Sequence, residues 1–213
     1  MRKIKVKNGM KSFGSQTVLD SVNIQCESGH IYGIVGHNGS GKTVLFKCIC
    51  DFMNLDAGEI EIDGVKRGKK GEILTGAGII IEEPSFLKNV SGIRNLDILY
   101  RVNHKKYLPY LKEVMERVGL DPDSKKPVGN YSMGMRQRLA IAQAIMENQE
   151  ILILDEPMNG LDHKGVEEMR ELFLGLKRAG KLILLASHNR EDIDILCDAV
   201  YEMEMGKLKR IRG

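Results

Sequence analysis

Hydrophobic residues follow two different periods along this chain, and each period predicts a different element. Residues 4–11 and 21–26 alternate between apolar and polar side chains, which is typical of antiparallel strands with one buried face. Shorter runs that are apolar throughout predict strands buried on both faces. These runs are residues 31–35, 77–81, 151–154 and 181–186.

Helical spacing, with apolar residues three and four apart, dominates the remaining segments. It predicts helices at residues 42–50, 93–103, 107–119, 134–148, 162–179 and 191–196. Residues 57–64 (AGEIEIDG) predict a β-hairpin, and residues 199–211 predict strands at the end of the chain. The stretch 121–130 is rich in Pro, Asp and Lys, so we predict a loop there.

Buried strands that alternate with helices predict an α/β fold with a mainly parallel sheet. The first two strands add an N-terminal antiparallel β subdomain to that core. Between residues 84 and 148 the chain is nearly all helical, so we interpret this block as a helical subdomain inserted into the core. The sequence thus predicts one domain, 1–213, whose α/β and β core comprises residues 1–83 and 149–213.

A glycine-rich segment follows the predicted strand 31–35 and precedes the helix that begins near Lys42. Its sequence, GHNGSGKT at residues 36–43, matches the phosphate-binding P-loop G-x-x-x-x-G-K-[ST] in the strand–loop–helix context that the motif requires. Lys42 is predicted to reach the β- and γ-phosphates of a nucleotide, and the Thr43 hydroxyl to bind Mg²⁺. We therefore expect a P-loop NTPase core.

The backbone of this loop supplies the other predicted phosphate contacts. Gly36, Gly39 and Gly41 allow the chain to curl so that its amide groups point at phosphate oxygens, and the start of the helix adds a positive dipole. The remaining nucleotide-binding candidates in this segment are His37, Asn38, Ser40 and Val44.

A second motif ends the predicted strand 151–154 with Asp155 and Glu156. Ligands of open α/β sheets bind at the carboxyl ends of the strands, where Asp155 can hold Mg²⁺ and Glu156 can act as a general base. Alone, this motif fits equally well a buried strand that ends in a polar turn. The P-loop on a neighbouring strand favours the catalytic interpretation.

Charge, hydropathy and cysteine content limit the classes of partner and the cellular location that the sequence allows. The 213 residues carry a net charge of +3, which is too small to indicate nucleic acid. No apolar stretch approaches the roughly 20 residues of a membrane helix, and no signal core follows the basic N-terminus, so a cytoplasmic location is expected. The four cysteines form no Cys-x-x-Cys or Cys/His cluster, so we expect reduced, mostly buried thiols.

The order of the remaining motifs resembles that of the ATP-binding-cassette (ABC) transporter family, and the resemblance covers nearly the whole chain. Residues 131–135 (YSMGM) lie where the family has its signature, usually Leu-Ser-Gly-Gly-Gln, and the following RQRLAIAQAI matches its signature helix. Residues 159–162 (NGLD) resemble the family's D-loop. Ser187 and His188 resemble its switch-histidine motif.

This resemblance implies an ATPase that binds ATP and Mg²⁺, forms a homodimer around two ATP molecules, and drives a separate membrane permease from the inner face of the cell membrane. It implies that Phe13 stacks on adenine and that His188 orients the attacking water. Ser132 and Gly134 would bind the γ-phosphate held by the other subunit. In isolation, Phe13 also fits an ordinary core position, Ser132 a helix N-cap, and His188 a turn.

Asp162 is expected both to cap the helix 162–179 and to make a contact across the dimer. The two roles are compatible.

Three departures from the family pattern affect the predicted site. Glu82 stands where the family usually has Gln, so it keeps a carboxylate ligand for Mg²⁺ and a candidate catalytic group, but adds negative charge near the γ-phosphate. A solvated acidic turn is the alternative. Met133 and Met135 replace a Gly and the Gln of the signature, and Met133 restricts the backbone more than Gly, which affects the expected geometry across the dimer. Val44 replaces a second hydroxyl, which predicts modest nucleotide affinity. A similar Ile-Glu-x-Pro sequence in bacitracin- and lantibiotic-type export cassettes favours export.

Two other functions stay open from the sequence. A soluble cassette ATPase acting on nucleic acid or ribosomes usually carries coiled coils, a second cassette or basic extensions, which this sequence lacks. A regulatory nucleotide binder would fit the altered signature. For the transporter interpretation, Phe86, Leu87 and Val90 are candidates for contact with the permease, whereas Ile93 and Leu96 suit the core of the helical insert at least as well.

Overall fold

The structure is a computed structural model that describes residues 1–68, 74–82 and 85–213. Within them the chain begins with a mainly β segment and then alternates strands and helices. The strands are β1 (Lys3–Phe13), β2 (Gln16–Glu27), β3 (Ile31–Val35), β4 (Ala57–Ile62), β5 (Val65–Lys66), β6 (Ala77–Ile80), β7 (Ile151–Asp155), β8 (Leu182–Ala186), β9 (Ala199–Glu204) and β10 (Lys207–Arg212). The α-helices are α1 (Lys42–Ile49), α2 (Gly92–Tyr100), α3 (Leu108–Arg117), α4 (Met133–Ile145), α5 (His163–Arg178) and α6 (Arg190–Leu196).

The described strands form two sheets. One is antiparallel with the order β2-β1-β4-β5. The other has the order β10-β9-β3-β8-β7-β6, in which only β10 runs antiparallel to its neighbour. A mainly parallel sheet with helices, beside an antiparallel β unit, confirms the predicted α/β fold class.

Alternate residues of the central strands pack into two different cores, because successive side chains of a strand point to opposite faces. In β7, Ile151 and Ile153 belong to the core that contains α1 and the inner face of the antiparallel sheet. Leu152 and Leu154 belong to the core that contains the helices α2 to α6. The parallel sheet is therefore covered on both sides, as its continuous apolar strands predict.

The segment between β6 and β7 contains α2, α3, a short 3₁₀ helix (Val128–Asn130) and α4. Its helices share one core with a face of the parallel sheet, and α4 packs directly on β6. The predicted loop 121–130 is thus shorter than expected, because the 3₁₀ turn and a β-bridge between Ser91 and Pro127 order its end. None of the helices in the described residues combines the length and apolar character needed to cross a membrane.

The first hairpin is longer than its hydrophobic pattern predicts. β2 begins at Gln16, five residues before the predicted start at residue 21, and pairs there with the end of β1 at Phe13. The pairing register shifts at several points between Val6 and Ser12. Each such bulge moves the following side chains to the other face, so the alternation that reveals a strand is lost while the pairing continues.

The cysteines are free and buried. Burial raises the pKa of Cys48 to about 11 and that of Cys50 to about 12. Burial thus favours the protonated thiols, and the free, buried cysteines agree with the prediction.

Candidate active site

The P-loop lies between β3 and α1, at the carboxyl edge of the parallel sheet. Gly36 has φ 153°, and a Cβ there would lie 2.3 Å from the Met203 carbonyl oxygen and 2.8 Å from Ser40 Oγ, so no larger residue fits. Gly41 is the N-cap of α1 and provides no side-chain cap. The first amide groups of α1 are thereby left for an anion, which the helix dipole also favours.

Lys42 is buried, although it carries a charge. Its Nζ donates to the carbonyl oxygen of Gly36 at 2.7 Å and to that of His37 at 3.2 Å. The ammonium group thus lies across the loop whose amides are the candidate phosphate ligands. Phosphate oxygens would replace these carbonyl oxygens as its partners, and the charge of the bound anion makes that exchange favourable.

Thr43 and Asp155 meet although 112 residues separate them in the chain. Thr43 Oγ1 donates to Asp155 Oδ2 at 2.6 Å, which joins the start of α1 to the end of β7. A hydroxyl and a carboxylate oxygen are the ligand types that Mg²⁺ prefers, and this ion usually binds through one or two protein oxygens together with phosphate and water. The pair therefore fits the predicted Mg²⁺ site.

Glu156 and His188 form a second close pair. His188 Nδ1 lies 2.9 Å from Glu156 Oε2, and the His188 backbone amide donates to the same oxygen at 3.4 Å. Glu156 has φ 49°, which is uncommon for a residue with a side chain, and its amide donates to the Ala186 carbonyl oxygen at 2.9 Å. The neighbouring strands β7 and β8 hold this carboxylate at the edge of the sheet.

Glu82 also has a left-handed backbone, at φ 63°. It follows β6, the strand next to β7. Its Oε1 accepts a hydrogen bond from Lys47 Nζ at 2.5 Å, so its carboxylate pairs with a cation of α1. The Glu82 side chain is 65% exposed, so an acidic turn with an ion-pair partner on α1 describes it as well as a ligand position does.

A cleft of about 490 Å³ brings most of these groups together, and this volume lies in the usual range for a small-molecule site. The predicted site residues that line it are Asn38, Gly39, Gly41, Lys42, Thr43, Val44, Glu82, Asp155 and Glu156. A second cavity, of about 730 Å³, is lined by Gly36, His37, Asn38 and His188. Asn38 borders both cavities, so the two spaces adjoin at the P-loop.

Five residues that were not among the predicted site residues also line the cleft: Val18, Met133, Arg136, Gln137 and Asn159. All but Val18 lie in the predicted signature and D-loop segments. Among these, Gln137 of α4 has the clearest contacts, because its Nε2 donates to the Pro157 carbonyl oxygen at 2.8 Å and to that of Glu156 at 3.4 Å. The signature helix is therefore tied to the loop that carries the candidate base. The resemblance to the signature helix indicates the segment, but the sequence gives no signal for this particular contact.

Met133, which replaces a signature glycine, packs over Gly160 of the D-loop segment. A Cβ added to Gly160 would lie 2.6 Å from Met133 Cγ and 2.7 Å from its sulfur atom. The larger signature residue is accommodated because its neighbour has no side chain.

Several predicted site residues lie outside the lining of the main cleft. Ser132 is the N-cap of α4, where its Oγ accepts a hydrogen bond from the Met135 amide at 3.2 Å. Asp162 caps α5, as expected, by accepting from the Gly165 amide at 2.9 Å. Phe13 is half exposed at the end of β1, with Lys11 Nζ 5.7 Å from its ring centre. The core alternative for Phe13 therefore does not hold.

The comparisons with known proteins agree with this geometry. The model of the ABC transporter family matches residues 19–159, which span the P-loop, the signature and the Asp155–Glu156 motif. The chain belongs to the ABC transporter family. This ABC cassette is 38% identical over 206 residues to the uncharacterized ABC transporter ATP-binding protein YybJ of Bacillus subtilis, with 97% of this chain and 94% of the relative covered.

Two other relatives of the cassette have more informative names. The bacitracin transport ATP-binding protein BcrA of Bacillus licheniformis is 42% identical over 209 residues, with 96% of this chain and 68% of the relative covered. The lantibiotic transport ATP-binding protein SrtF of Streptococcus pyogenes is 35% identical over 208 residues, with 96% and 88% covered.

Solved structures of ABC cassettes share the fold. The dimeric structure of MJ0796, a bacterial ABC transporter cassette, superposes with a TM-score of 0.86 at 21% identity and covers 99% of both chains. A nucleotide-free ATP-binding cassette superposes with a TM-score of 0.83 at 25% identity, covering 100% of this chain and 92% of the other. The predicted family, the fold class and the assignment as an ATPase that uses ATP and Mg²⁺ are thereby confirmed. The roles of individual residues stay predictions.

Proposed function

We propose that this cassette hydrolyses ATP to drive an exporter through a separate membrane permease. The observation that carries the proposal is the convergence of three groups at one sheet edge: Lys42, the Thr43–Asp155 pair and the Glu156–His188 pair. The relatives named for bacitracin and lantibiotic transport support antibiotics of this kind as the class of transported compound.

In this proposal, each of these groups has one role in ATP hydrolysis. Lys42 and the P-loop amides would bind the β- and γ-phosphates, and Thr43 and Asp155 would hold Mg²⁺, whose charge would offset that of the phosphates. Glu156 accepts a proton from a water whose oxygen attacks the γ-phosphorus, and the bond to the β-phosphate oxygen breaks to release ADP. His188, whose Nδ1 lies 2.9 Å from Glu156 Oε2, would orient this water and donate a hydrogen bond to the γ-phosphate.

A second copy of the chain completes each site in this proposal. Ser132 is exposed, stands at the N-terminus of α4 and lies outside the main cleft of its own subunit. A helix N-terminus favours an anion, so Ser132 and the Gly134 amide would bind the γ-phosphate of the partner's ATP. Asp162 would face the partner, and Phe13 would stack on adenine. The dimeric assembly of the MJ0796 cassette supports this arrangement.

The dimer is tested by mixing two inactive variants. Ser132→Arg places a bulky cation at the signature, and Lys42→Ala removes the P-loop cation. Each homodimer is expected to be inactive, but a mixed dimer has one site with both residues intact, so ATPase activity should reappear on mixing. Ser132 is the better choice for substitution, because a Cβ on Gly134 would lie 2.9 Å from the Gly160 carbonyl oxygen.

Two measurements accompany the mixing experiment. Ser132→Arg alone should bind ATP as a monomer with normal affinity in calorimetry, since the serine serves the other subunit. Loss of monomer affinity, or a mixture as inactive as its parents, would contradict the composite site.

The permease is proposed to dock on residues 85–91, which precede α2 within the helical subdomain 84–148. Leu87 is 56% exposed there, whereas Phe86 is partly buried against the core. The buried Asn95 fixes the segment, because its Oδ1 accepts from the Leu87 amide at 2.8 Å and its Nδ2 donates to the Leu87 carbonyl oxygen at 3.1 Å. A rigid loop thus presents an apolar side chain, and Leu87 is a better docking candidate than Phe86.

Substitution of Leu87 tests both the docking site and the location at the inner face of the cell membrane. In native extracts, the protein should sediment with membranes and be released by alkali. Leu87→Asp should reduce the membrane-bound fraction about tenfold, because it puts a charge where the leucine would be buried against the permease. Basal ATPase activity of the purified variant should be normal.

Val65→Asp is the matched control for this experiment. Val65 is 59% exposed, but it lies on β5 of the antiparallel sheet, so its substitution should leave the membrane fraction unchanged. A protein found wholly in the soluble fraction, or on ribosomes or DNA, would favour the non-transport cassette instead. Membrane binding with no measurable turnover would favour the regulatory nucleotide binder.

A further inference from the structure

Glu82 brings a negative charge to the nucleotide cleft, and one cation of α1 contacts it. Lys47 Nζ lies 2.5 Å from Glu82 Oε1. Lys47 follows Thr43 by four residues in α1, so the two side chains lie one turn apart on the same helix face. This face therefore supplies a hydroxyl to Asp155 and an ammonium group to Glu82.

The backbone also restricts where the Glu82 carboxylate can lie. Glu82 has φ 63°, a left-handed conformation that costs free energy for a residue with a side chain and is typical of functional sites. The residue lines the same cleft as Lys42 and Asp155. A carboxylate at this position repels any anion that binds in the cleft.

Stability of the fold does not account for the pair. The Glu82 side chain is 65% exposed and that of Lys47 is 27% exposed, and ion pairs of this kind contribute little to stability. A charged ligand is a different matter, because the anionic phosphates would share the cleft with this carboxylate, and like charges repel.

We propose that Lys47 is a positioning residue that holds Glu82 and cancels its charge toward the bound nucleotide. Alone, Glu82 adds one negative charge to the cleft and repels the phosphates. With Lys47 in contact, the pair is neutral overall and the carboxylate is directed along α1. The inference rests on the proposed ATPase function and extends it to a residue outside the P-loop motif.

A double-mutant cycle tests the pair, with the dissociation constant of Mg²⁺-ATP measured by calorimetry. Lys47→Gln should raise this constant about fivefold, because it leaves the Glu82 charge uncompensated. Glu82→Gln should leave it unchanged or lower it, because the variant removes that charge. The variant with both substitutions should bind within about twofold of the original protein, since no net charge then remains at the pair.

Rescue distinguishes positioning from a general role of Lys47 in folding. A structural defect caused by Lys47→Gln would persist when Glu82 is also replaced, and that result would overturn the proposal. Normal binding by Lys47→Gln, or a collapse of binding by Glu82→Gln, would also overturn it. Lys47→Arg keeps the cation and should bind nearly normally.

Lys66→Gln is the matched control for net charge. Lys66 Nζ lies 2.6 Å from Glu59 Oε2 in the antiparallel sheet, so this variant removes the same charge from an ion pair outside the cleft. Its affinity should be unchanged, and weakening equal to that of Lys47→Gln would overturn the proposal. Lys42→Ala in the same assay separates the two hypotheses: if it binds ATP normally, the proposed site itself fails, whereas its failure to bind leaves Lys47 as the only question.

Discussion

Lys42→Ala is expected to abolish tight ATP binding. The side chain is buried at the P-loop, where its Nζ donates to the carbonyl oxygens of Gly36 and His37. In the complex these donors would serve the β- and γ-phosphates, and a hydrogen bond to a charged group contributes about 1.5–3 kcal/mol. We therefore expect the dissociation constant of Mg²⁺-ATP, measured by calorimetry, to rise about 100-fold or more.

Lys181→Ala is the matched control. Lys181 is buried to the same degree and also donates to a backbone carbonyl oxygen, that of Asn148, at 2.9 Å, but it lies at the other end of the sheet. Both variants should lower the melting temperature, since each removes a buried lysine with its hydrogen bonds. Only Lys42→Ala should lose ATP affinity. Binding that survives within a few fold would show that Lys42 does not contact the phosphates.

Glu156→Gln is expected to stop hydrolysis and to preserve ATP binding. The amide has the shape of the carboxylate and can keep the contact with His188, but it cannot take a proton from water. Loss of a general base typically costs about 10²–10⁴-fold in turnover. With hydrolysis blocked, the ATP-bound dimer should accumulate and elute earlier than the monomer in size-exclusion chromatography with ATP.

Glu150→Gln is the matched control, because it removes a carboxylate next to the same strand, β7, but at its other end. Glu150 precedes β7 at the end opposite Glu156 and pairs with Lys181 at 2.6 Å. Its substitution should leave turnover unchanged. Near-normal turnover by Glu156→Gln would place the base elsewhere; Glu82 is then the next candidate in the cleft, together with Glu83, which lies outside the described residues.

Local motifs explain why the sequence alone predicts the family and the fold class. The P-loop and the Asp155–Glu156 motif are each short and contiguous, and each needs its own strand and turn. The strands that deliver them are buried on both faces and are therefore apolar throughout, which makes them visible as runs. Their order along the chain is sufficient for the family, because no contact between distant residues enters that argument.

The ends of strands and helices depend on backbone hydrogen bonds, which the pattern of apolar residues does not reveal. The start of β2 at Gln16 is an example, since bulges in β1 break the alternation over the outer half of the hairpin. The end of α2 at Tyr100, three residues before its predicted end, is another. There the amides of Asn103 and His104 donate to the Tyr100 carbonyl oxygen and form a turn instead of a further helical turn.

The sequence by itself determined which chemical groups this cassette has: a lysine and a hydroxyl after the glycines, and two carboxylates after a buried strand. Only the tertiary structure decided which of them meet. Lys47 contacts Glu82 across 35 residues, and Gln137 reaches the carbonyl oxygen of Pro157 across 20. Packing of α1 and α4 against the sheet sets these distances, and packing depends on the shapes of many side chains at once, so no local pattern of charge or hydrophobicity contains them.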